Sequence, residues 1–176
     1  MKKLIKKLIK DWILPIAIAL VIAFIMRQFV FFIAFVPTNS MEETIMPGER
    51  LFVTRIYNFE KLKRGDIIVF YSDEAGAVFI KRLIGLPGDR IKIIDGELFI
   101  NGEKISEPYV KNKDTKTYFD SEEIVVPDNS YFFLGDNRVA SYDSRYWSPP
   151  FVSEEYIKGK AHIVIFPFNR IRLLRN

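Results

Sequence analysis

Ser40 is the first residue of the chain whose type and setting suit nucleophilic chemistry. It lies in FVPTNSMEETIMPGERLFV, residues 35–53, at a bend between two apolar runs. A serine hydroxyl needs a base to activate it, and the single histidine, His162, lies more than a hundred residues away. The chain has no cysteine, which excludes a thiol nucleophile, disulfides and thiolate metal sites. Polar residues after a proline are also typical of a plain turn, so the local sequence leaves that interpretation open.

A lysine is the alternative to histidine as the base. Lys81 lies in FIKRLIGLPGDR, residues 79–90, with apolar residues on both sides of the predicted strand. A strand lysine usually faces solvent, but apolar neighbours on both faces favour partial burial. Burial lowers a lysine pKa from about 10.4 by up to ~3–5 pH units. A lysine that titrates at about 7–8 is a workable base, and Ser-Lys pairs are a known variant of the catalytic triad.

A third polar stretch, LGDNRVASYDSRYW at residues 134–147, is dense in Asp, Asn, Arg and Ser. Its simplest interpretation is a turn with ion pairs, and the spacing lets Asp143 pair with Arg145 and Asp136 with Arg138. Asp136 and Asp143 have no further ligands spaced to complete a metal site, so we expect neither a metal nor a cofactor. The nearby GLPGD lacks the Gly-Lys-Ser/Thr of a phosphate-binding P-loop.

The N-terminal segment has the composition of a membrane helix, which would fix the side of the membrane on which Ser40 and Lys81 lie. MKKLIKKLIKD, residues 1–11, is followed by 15 apolar residues that Leu8 and Ile9 extend toward the ~20 needed to cross a bilayer. We predict a basic cytoplasmic tail at 1–10, a transmembrane helix at 11–28 and an extracytoplasmic domain at 29–176, by the positive-inside rule. A cleaved signal peptide needs a small-residue site that RQFVFFIAFVP lacks. A buried core helix is hard to cover in so small a domain.

The charge distribution argues against nucleic-acid binding. Residues 1–11 hold five of the 26 basic residues and one of the 22 acidic ones, so the remaining 165 hold 21 of each. A nucleic-acid binder carries its basic excess on the folded domain. We therefore expect the lipid bilayer, and no nucleic acid, as a partner of the basic segment.

The rest of the chain predicts β structure. Short runs rich in Val, Ile and Phe alternate with Gly, Pro, Asn and Asp. The predicted strands are residues 29–36, 50–57, 66–72, 78–85, 90–95, 97–102, 130–136 and 160–167. Asp95-Gly96 and Asn101-Gly102 predict two consecutive tight hairpins, and VSEEYIKGK, residues 152–160, is a candidate short helix. The fold class is an all-β domain on a membrane helix.

The first strand, FVFFIAFVP, has no polar face. Since it directly follows the membrane helix, one face could rest against the bilayer. Burial on both faces is the other interpretation.

The order and form of the motifs together resemble the type I signal peptidases of bacteria. The resemblance rests on the anchor, PTNSM (37–41), RGDIIVF (64–70), FIKRLIGLPGD (79–89) and GDNRVASYDSRYW (135–147), and runs from about residue 10 to the C-terminus. It implies a membrane-anchored, all-β serine endopeptidase that removes signal peptides from exported preproteins, with those signal peptides as partners.

The resemblance also implies roles for single residues. Ser40 is similar to the nucleophile and Lys81 to the general base, and Ser141 to the residue that orients the lysine amine. Thr38 matches the hydroxyl that helps the Ser40 backbone N–H form the oxyanion hole. The remaining matches are the structural supports Asp143, Arg145 and Asp136, and the residues Val36, Met41, Ile45, Phe79 and Ile80, which line pockets for Ala-like side chains at the first and third positions before the cut.

The chain departs from the family pattern after the nucleophile. The family commonly reads Ser-Met-x-Pro-Thr-Leu, whereas this chain has Glu43 at the proline position. Loss of proline frees φ there, and a carboxylate close to Lys81 would raise the lysine pKa. This favours, as an alternative, a non-catalytic relative that binds signal peptides or partner proteins, although Ser40 and Lys81 are both present. A self-cleaving repressor with Ser-Lys chemistry would need a DNA-binding domain where this chain has its anchor.

Overall fold

The protein is described here from a computed structural model, which describes residue 7 and residues 9–111 and 122–174. Its N-terminal helix begins with a π-helical turn, Ile9–Ile13, and continues as α1, Leu14–Phe29. Together these 21 residues form an apolar helix with none of its side chains buried. At 1.5 Å per residue it is about 31 Å long, enough to cross a bilayer. The predicted helix is therefore present, and its full exposure contradicts a core helix.

Twelve antiparallel strands follow α1 in the part of the chain that the structure describes. Their bounds are β1 Phe31–Phe35, β2 Arg50–Thr54, β3 Ile67–Ser72, β4 Ala77–Gly85, β5 Arg90–Ile94, β6 Glu97–Ile100, β7 Glu103–Lys104, β8 Ile124–Val125, β9 Ser130–Leu134, β10 Val152–Ser153, β11 Ile157–Phe166 and β12 Arg172–Leu173. The larger sheet has the order β1-β2-β11-β3-β4-β9-β10, with β12 on β11, and the smaller has the order β7-β6-β5-β8.

All eight predicted strands are present, which confirms the all-β fold class. Four further strands, β7, β8, β10 and β12, contain only two residues each, too few to show an alternating pattern. The candidate helix at residues 152–160 is reduced to one 3₁₀ turn, Glu154–Tyr156, because the chain enters the ten-residue strand β11 directly after it.

Both predicted hairpins are confirmed. Asp95 and Gly96 have φ values of 50° and 74°, and Asn101 and Gly102 have 54° and 84°. Positive φ at both central positions is the type I′ geometry that matches strand twist. These turns join β5, β6 and β7 into the smaller sheet.

Strand β1 is an edge strand that pairs only with β2 in the larger sheet. Ile33 and Phe35 are 58% and 59% exposed, whereas Phe32 and Ala34 pack against the core. The interpretation that this strand is buried on both faces is therefore wrong. Its outward face is apolar and begins two residues after the end of α1.

Candidate active site

A groove of about 680 Å³ contains the two candidate reactive residues, Ser40 and Lys81. One wall is β1 with the segment that follows it, residues 32–41, and the other is the first half of β4, residues 77–81. The sequence-predicted pocket residues on these walls are Val36, Met41, Phe79 and Ile80. The fifth, Ile45, does not line the groove but is fully buried in the same core cluster as Val36 and Met41. Thr38 also lines the groove, and its Oγ1 lies 3.4 Å from the Ser40 Oγ.

Backbone hydrogen bonds fix the position of Ser40 from two directions. Val36 N–H donates to the Glu49 carbonyl at 3.0 Å and Gly48 N–H donates to the Val36 carbonyl at 2.8 Å, which closes the loop that carries the serine. Asn137 N–H donates to the Ser40 carbonyl at 3.1 Å. The serine is thus tied both to its own loop and to the loop after β9.

Lys81 lies on β4 opposite Ile68 of β3, and only 3% of it is exposed. Within the described residues its amine has no ion pair and no hydrogen bond, and its Nζ lies 5.3 Å from the Phe79 ring centroid. Burial lowers the pKa of Lys81 to about 8, with Asp143 acting to raise it and Arg145 to lower it. The result is an amine that is neutral to a useful extent near neutral pH.

Ser141 and Gly135 bring the loop after β9 against Ser40. A Cβ on Gly135 would lie 2.2 Å from the Ser141 Oγ and 2.5 Å from the Ser40 carbonyl oxygen. Both groups therefore pack against Gly135 at distances that no larger residue allows. The Ser141 Oγ is buried and has no hydrogen-bond partner among the described residues. A buried hydroxyl without a partner is costly and is a mark of a functional site. Gly135 has no counterpart in the predicted site.

The ion pair of Asp143 with Arg145 is confirmed. Arg145 donates from Nε and Nη2 to the two carboxylate oxygens at 2.8 and 3.0 Å, and both residues are buried. Asp143 also accepts from Gly135 N–H at 3.0 Å, and Arg145 donates to the Arg138 carbonyl at 2.6 Å. This pair therefore holds the loop that carries Gly135 and Ser141.

The expected pairing of Asp136 with Arg138 is wrong. Asp136 accepts from Arg82 at 2.8 and 2.7 Å, and Arg138 pairs with Glu107 instead. The register of β4 and β9 places Arg82 opposite Leu134, two residues before Asp136, so a residue distant in sequence reaches the carboxylate. Since Arg82 follows Lys81, the pair ties the lysine strand to the same loop.

Comparison with known proteins identifies the family of this chain. Residues 9–166 match the family described as signal peptidase, peptidase S26. The chain belongs to this family. It is accordingly a serine endopeptidase that removes signal peptides from exported preproteins.

Similar signal peptidases cover almost the whole chain. Signal peptidase I of Bacillus licheniformis is 39% identical over 170 residues, which span 92% of this chain and 91% of that protein. Signal peptidase I T of Bacillus subtilis strain 168 is also 39% identical, over 92% of this chain and 88% of that protein. A solved structure of a signal peptidase I from Enterococcus faecalis V583 is 36% identical, with a TM-score of 0.47, over 58% of this chain and 98% of that one. Together with the apolar helix, the relatives indicate a membrane-anchored protein.

Glu43, the departure from the signal peptidase pattern, does not act on the lysine. Its side chain is exposed, and the charged groups that shift the pKa of Lys81 are Asp143, Arg145 and Asp136. Its φ of 80° is far from the value of about −65° that a proline ring fixes. The turn after the nucleophile therefore has a backbone that proline cannot adopt.

The C-terminal segment of this signal peptidase holds the turn after the nucleophile in place through hydrogen bonds, which we call the clamp. The sequence did not predict these contacts. Arg172 donates from Nη2 to the Thr44 carbonyl at 2.6 Å and to the buried Glu49 carboxylate at 2.9 Å. Arg170 also donates to Glu49, at 2.7 Å, and the Thr44 hydroxyl donates to Asp136. The turn is thus joined at Thr44 both to Arg172 near the end of the chain and to the loop after β9.

We expect Arg172→Ala to lower both stability and turnover. The change removes donors from a carboxylate that is only 1% exposed, which should lower the free energy of unfolding by about 1–3 kcal/mol. It also frees the Thr44 carbonyl, so kcat should fall with little change in KM. Urea unfolding in detergent and peptide cleavage measure the two effects. The control is Arg90→Ala, whose ion pair with Glu123 is largely exposed and should contribute little to stability. Equal effects of the two substitutions would contradict the clamp.

Proposed function

We propose that Ser40 is the nucleophile of this signal peptidase and that neutral Lys81 is its general base. One observation carries the proposal: a buried amine with a pKa of about 8 shares a groove with Ser40. No histidine competes for the role, because His162 lies outside the groove lining and its Nε2 is 2.8 Å from the Thr54 hydroxyl. The unpartnered Ser141 hydroxyl is suited to bond the lysine amine and fix its direction.

The residues support one proton path. Neutral Lys81 takes the Ser40 hydroxyl proton as Oγ attacks the scissile carbonyl carbon. The oxyanion that forms accepts hydrogen bonds from the Ser40 backbone N–H and the Thr38 hydroxyl, donors typically worth about 10²–10³ in rate. The Lys81 ammonium then gives its proton to the leaving amine, which releases the mature protein and leaves an acyl-enzyme. Lys81, neutral again, activates the water that hydrolyses the ester.

The groove supports a preference for small side chains at two positions of the signal peptide. Its walls are mostly apolar, and Val36 and Met41 in these walls are almost completely buried. An extended peptide points alternate side chains to the same face. The first and third residues before the cut therefore meet the same apolar wall, whereas the second faces away.

We infer a single-pass arrangement in the cytoplasmic membrane. The lysine-rich residues 1–10 face the cytoplasm, residues 11–28 span the bilayer and residues 29–176 lie on the extracytoplasmic face. The exposed apolar face of β1, Ile33 and Phe35, follows the helix closely enough to contact lipid. A groove that starts beside this strand receives a signal peptide as it leaves the membrane.

The dependence of kcat/KM on pH tests the proposed base. For a peptide without titratable groups, kcat/KM should fall about tenfold per pH unit below about 8 and reach a plateau above it, since only neutral Lys81 accepts the proton. Burial lowers the pKa of His162 below its ordinary 6.5. A histidine base would therefore place the midpoint below 6.5, and that result would contradict the proposal.

Ser141→Ala is the matched variant in this measurement. Loss of the hydroxyl that directs the amine should lower kcat strongly and move the midpoint of the pH profile. A variant with an unchanged profile would remove Ser141 from the site while leaving the roles of Ser40 and Lys81 intact. No observation favours a non-catalytic relative, because Glu43, the feature that suggested one, does not shift the pKa of Lys81.

A further inference from the structure

A second cavity, of about 600 Å³, lies beside the substrate groove. It is formed by the turn between β3 and β4, the segment before β10 and the 3₁₀ turn before β11. Its aromatic lining includes Tyr71, Trp147 and Tyr156, and its acidic lining consists of Asp73 and Glu74. None of these residues has a role in the proposed catalytic mechanism.

Two contacts between side chains form the boundary between this cavity and the groove. Phe79 lines the groove and stacks on Trp147, which lines the cavity, with ring centroids 5.8 Å apart. Tyr142 lines the groove and donates from its hydroxyl to Glu74, which lines the cavity, at 3.1 Å. An extended peptide advances about 3.3 Å per residue. A chain bound in the groove therefore reaches the cavity within about two or three residues.

Among the described residues, the two carboxylates of the cavity have no cationic partner. Glu74 accepts from Tyr142 and Asp73 from Tyr156, both neutral hydroxyl donors. Neither carboxylate forms an ion pair with any residue in the described parts of the chain, and both are exposed. Lys158 lies close to the aromatic lining, with its Nζ 6.0 Å from the centroid of the Tyr71 ring, but it pairs with neither carboxylate. Carboxylates beside aromatic faces are the combination that attracts ammonium and guanidinium groups.

We propose that this cavity is an additional substrate subsite, which takes a lysine or arginine side chain of the preprotein. The proposal rests on the proposed function, since the occupant belongs to the same polypeptide that Ser40 cuts. A long aliphatic stem can lie against Trp147 while its charged end meets Asp73 and Glu74. The groove holds the first and third residues before the cut. The lysine or arginine must therefore be a different residue of the preprotein, within a few positions of these two.

A lysine scan tests this subsite. Peptides of one uncharged parent sequence, with alanine at the first and third positions before the cut, each carry one lysine at a different further position. For wild type we expect one position to raise kcat/KM about three- to tenfold over the parent, and raised salt to reduce the gain. The double variant Asp73→Asn with Glu74→Gln should lose that gain. It keeps the oxygen atoms that accept from Tyr142 and Tyr156, so the cavity keeps its shape.

The controls separate this subsite from the catalytic proposal. The parent peptide should be cut equally by wild type and double variant, and failure of wild type to cut it would count against the proposed function instead. Glu103→Gln, on an exposed strand of the smaller sheet, should keep the lysine gain. The subsite is refuted if no position shows a gain, or if the gain survives in the double variant.

Discussion

Lys81→Met should abolish signal-peptide cleavage and at the same time make the protein more stable. Loss of the base should lower kcat by at least about 10³-fold, as removal of a triad member does. Burial lowers the pKa of Lys81 from 10.5 to about 8, so its ammonium form destabilises the folded state by about 3 kcal/mol at pH 7. Methionine fills a similar volume without a charge. Peptide cleavage and urea unfolding in detergent measure both effects on one preparation.

The pH dependence of this stability difference has a definite sign. The folded pKa of Lys81 is lower than the unfolded one, so the unfolded state binds more protons between pH 8 and 10.5. The stability of wild type should therefore rise toward that of Lys81→Met over this range, with the full difference present below pH 8. A variant that is less stable than wild type at pH 7 would contradict the buried, unpaired amine.

Ser40→Ala is the matched control for the lysine variant. It should abolish cleavage as completely, because nothing else in the groove replaces the nucleophile, but it should leave stability nearly unchanged. Lys92→Met, on β5 of the smaller sheet, should change neither activity nor the pH dependence of stability. Substantial cleavage by Ser40→Ala would refute the mechanism.

The parts of this protein that the sequence predicted are those encoded locally. Alternating apolar runs located the long strands, and Asp-Gly and Asn-Gly pairs located both hairpins, because each signal depends on neighbouring residues alone. Ser40 and Lys81 were predicted because the order and form of several motifs together resemble one family. That the two share one groove follows from the fold, which places the segment after β1 beside β4, and neither motif alone predicts this.

The parts that the sequence did not predict depend on residues far apart in the chain. Asp136 has a basic residue two positions away, but its partner is Arg82, which only the register of β4 and β9 reveals. Glu49 and Arg172 are separated by more than a hundred residues, and neither lies in a recognisable motif. Glu43 is a further example. The sequence showed its charge, but its exposure and its positive φ depend on how the turn folds.

Gly135→Ala should remove activity although it replaces neither Ser40 nor Lys81. The added methyl would lie 2.2 Å from the Ser141 Oγ and 2.5 Å from the Ser40 carbonyl oxygen, both far inside van der Waals contact. The backbone oxygen cannot rotate away, so the loops that carry Ser40 and Ser141 must separate. A displacement of about 1 Å at a catalytic site can cost about 10²-fold in rate, and we expect at least that loss in kcat.

Gly159→Ala distinguishes this displacement from general destabilisation. A Cβ there would lie 2.4 Å from the Thr54 carbonyl oxygen, an equally severe clash, but on β11 and away from the residues that line the groove. Both variants should unfold at lower urea concentrations than wild type. Only Gly135→Ala should also lose kcat while folded, and its Ser40 should react slowly with a serine-directed covalent inhibitor. Equal kcat values for the two folded variants would mean that Gly135 supports the fold alone, and that the contact between the loops of Ser40 and Ser141 does not set the catalytic geometry.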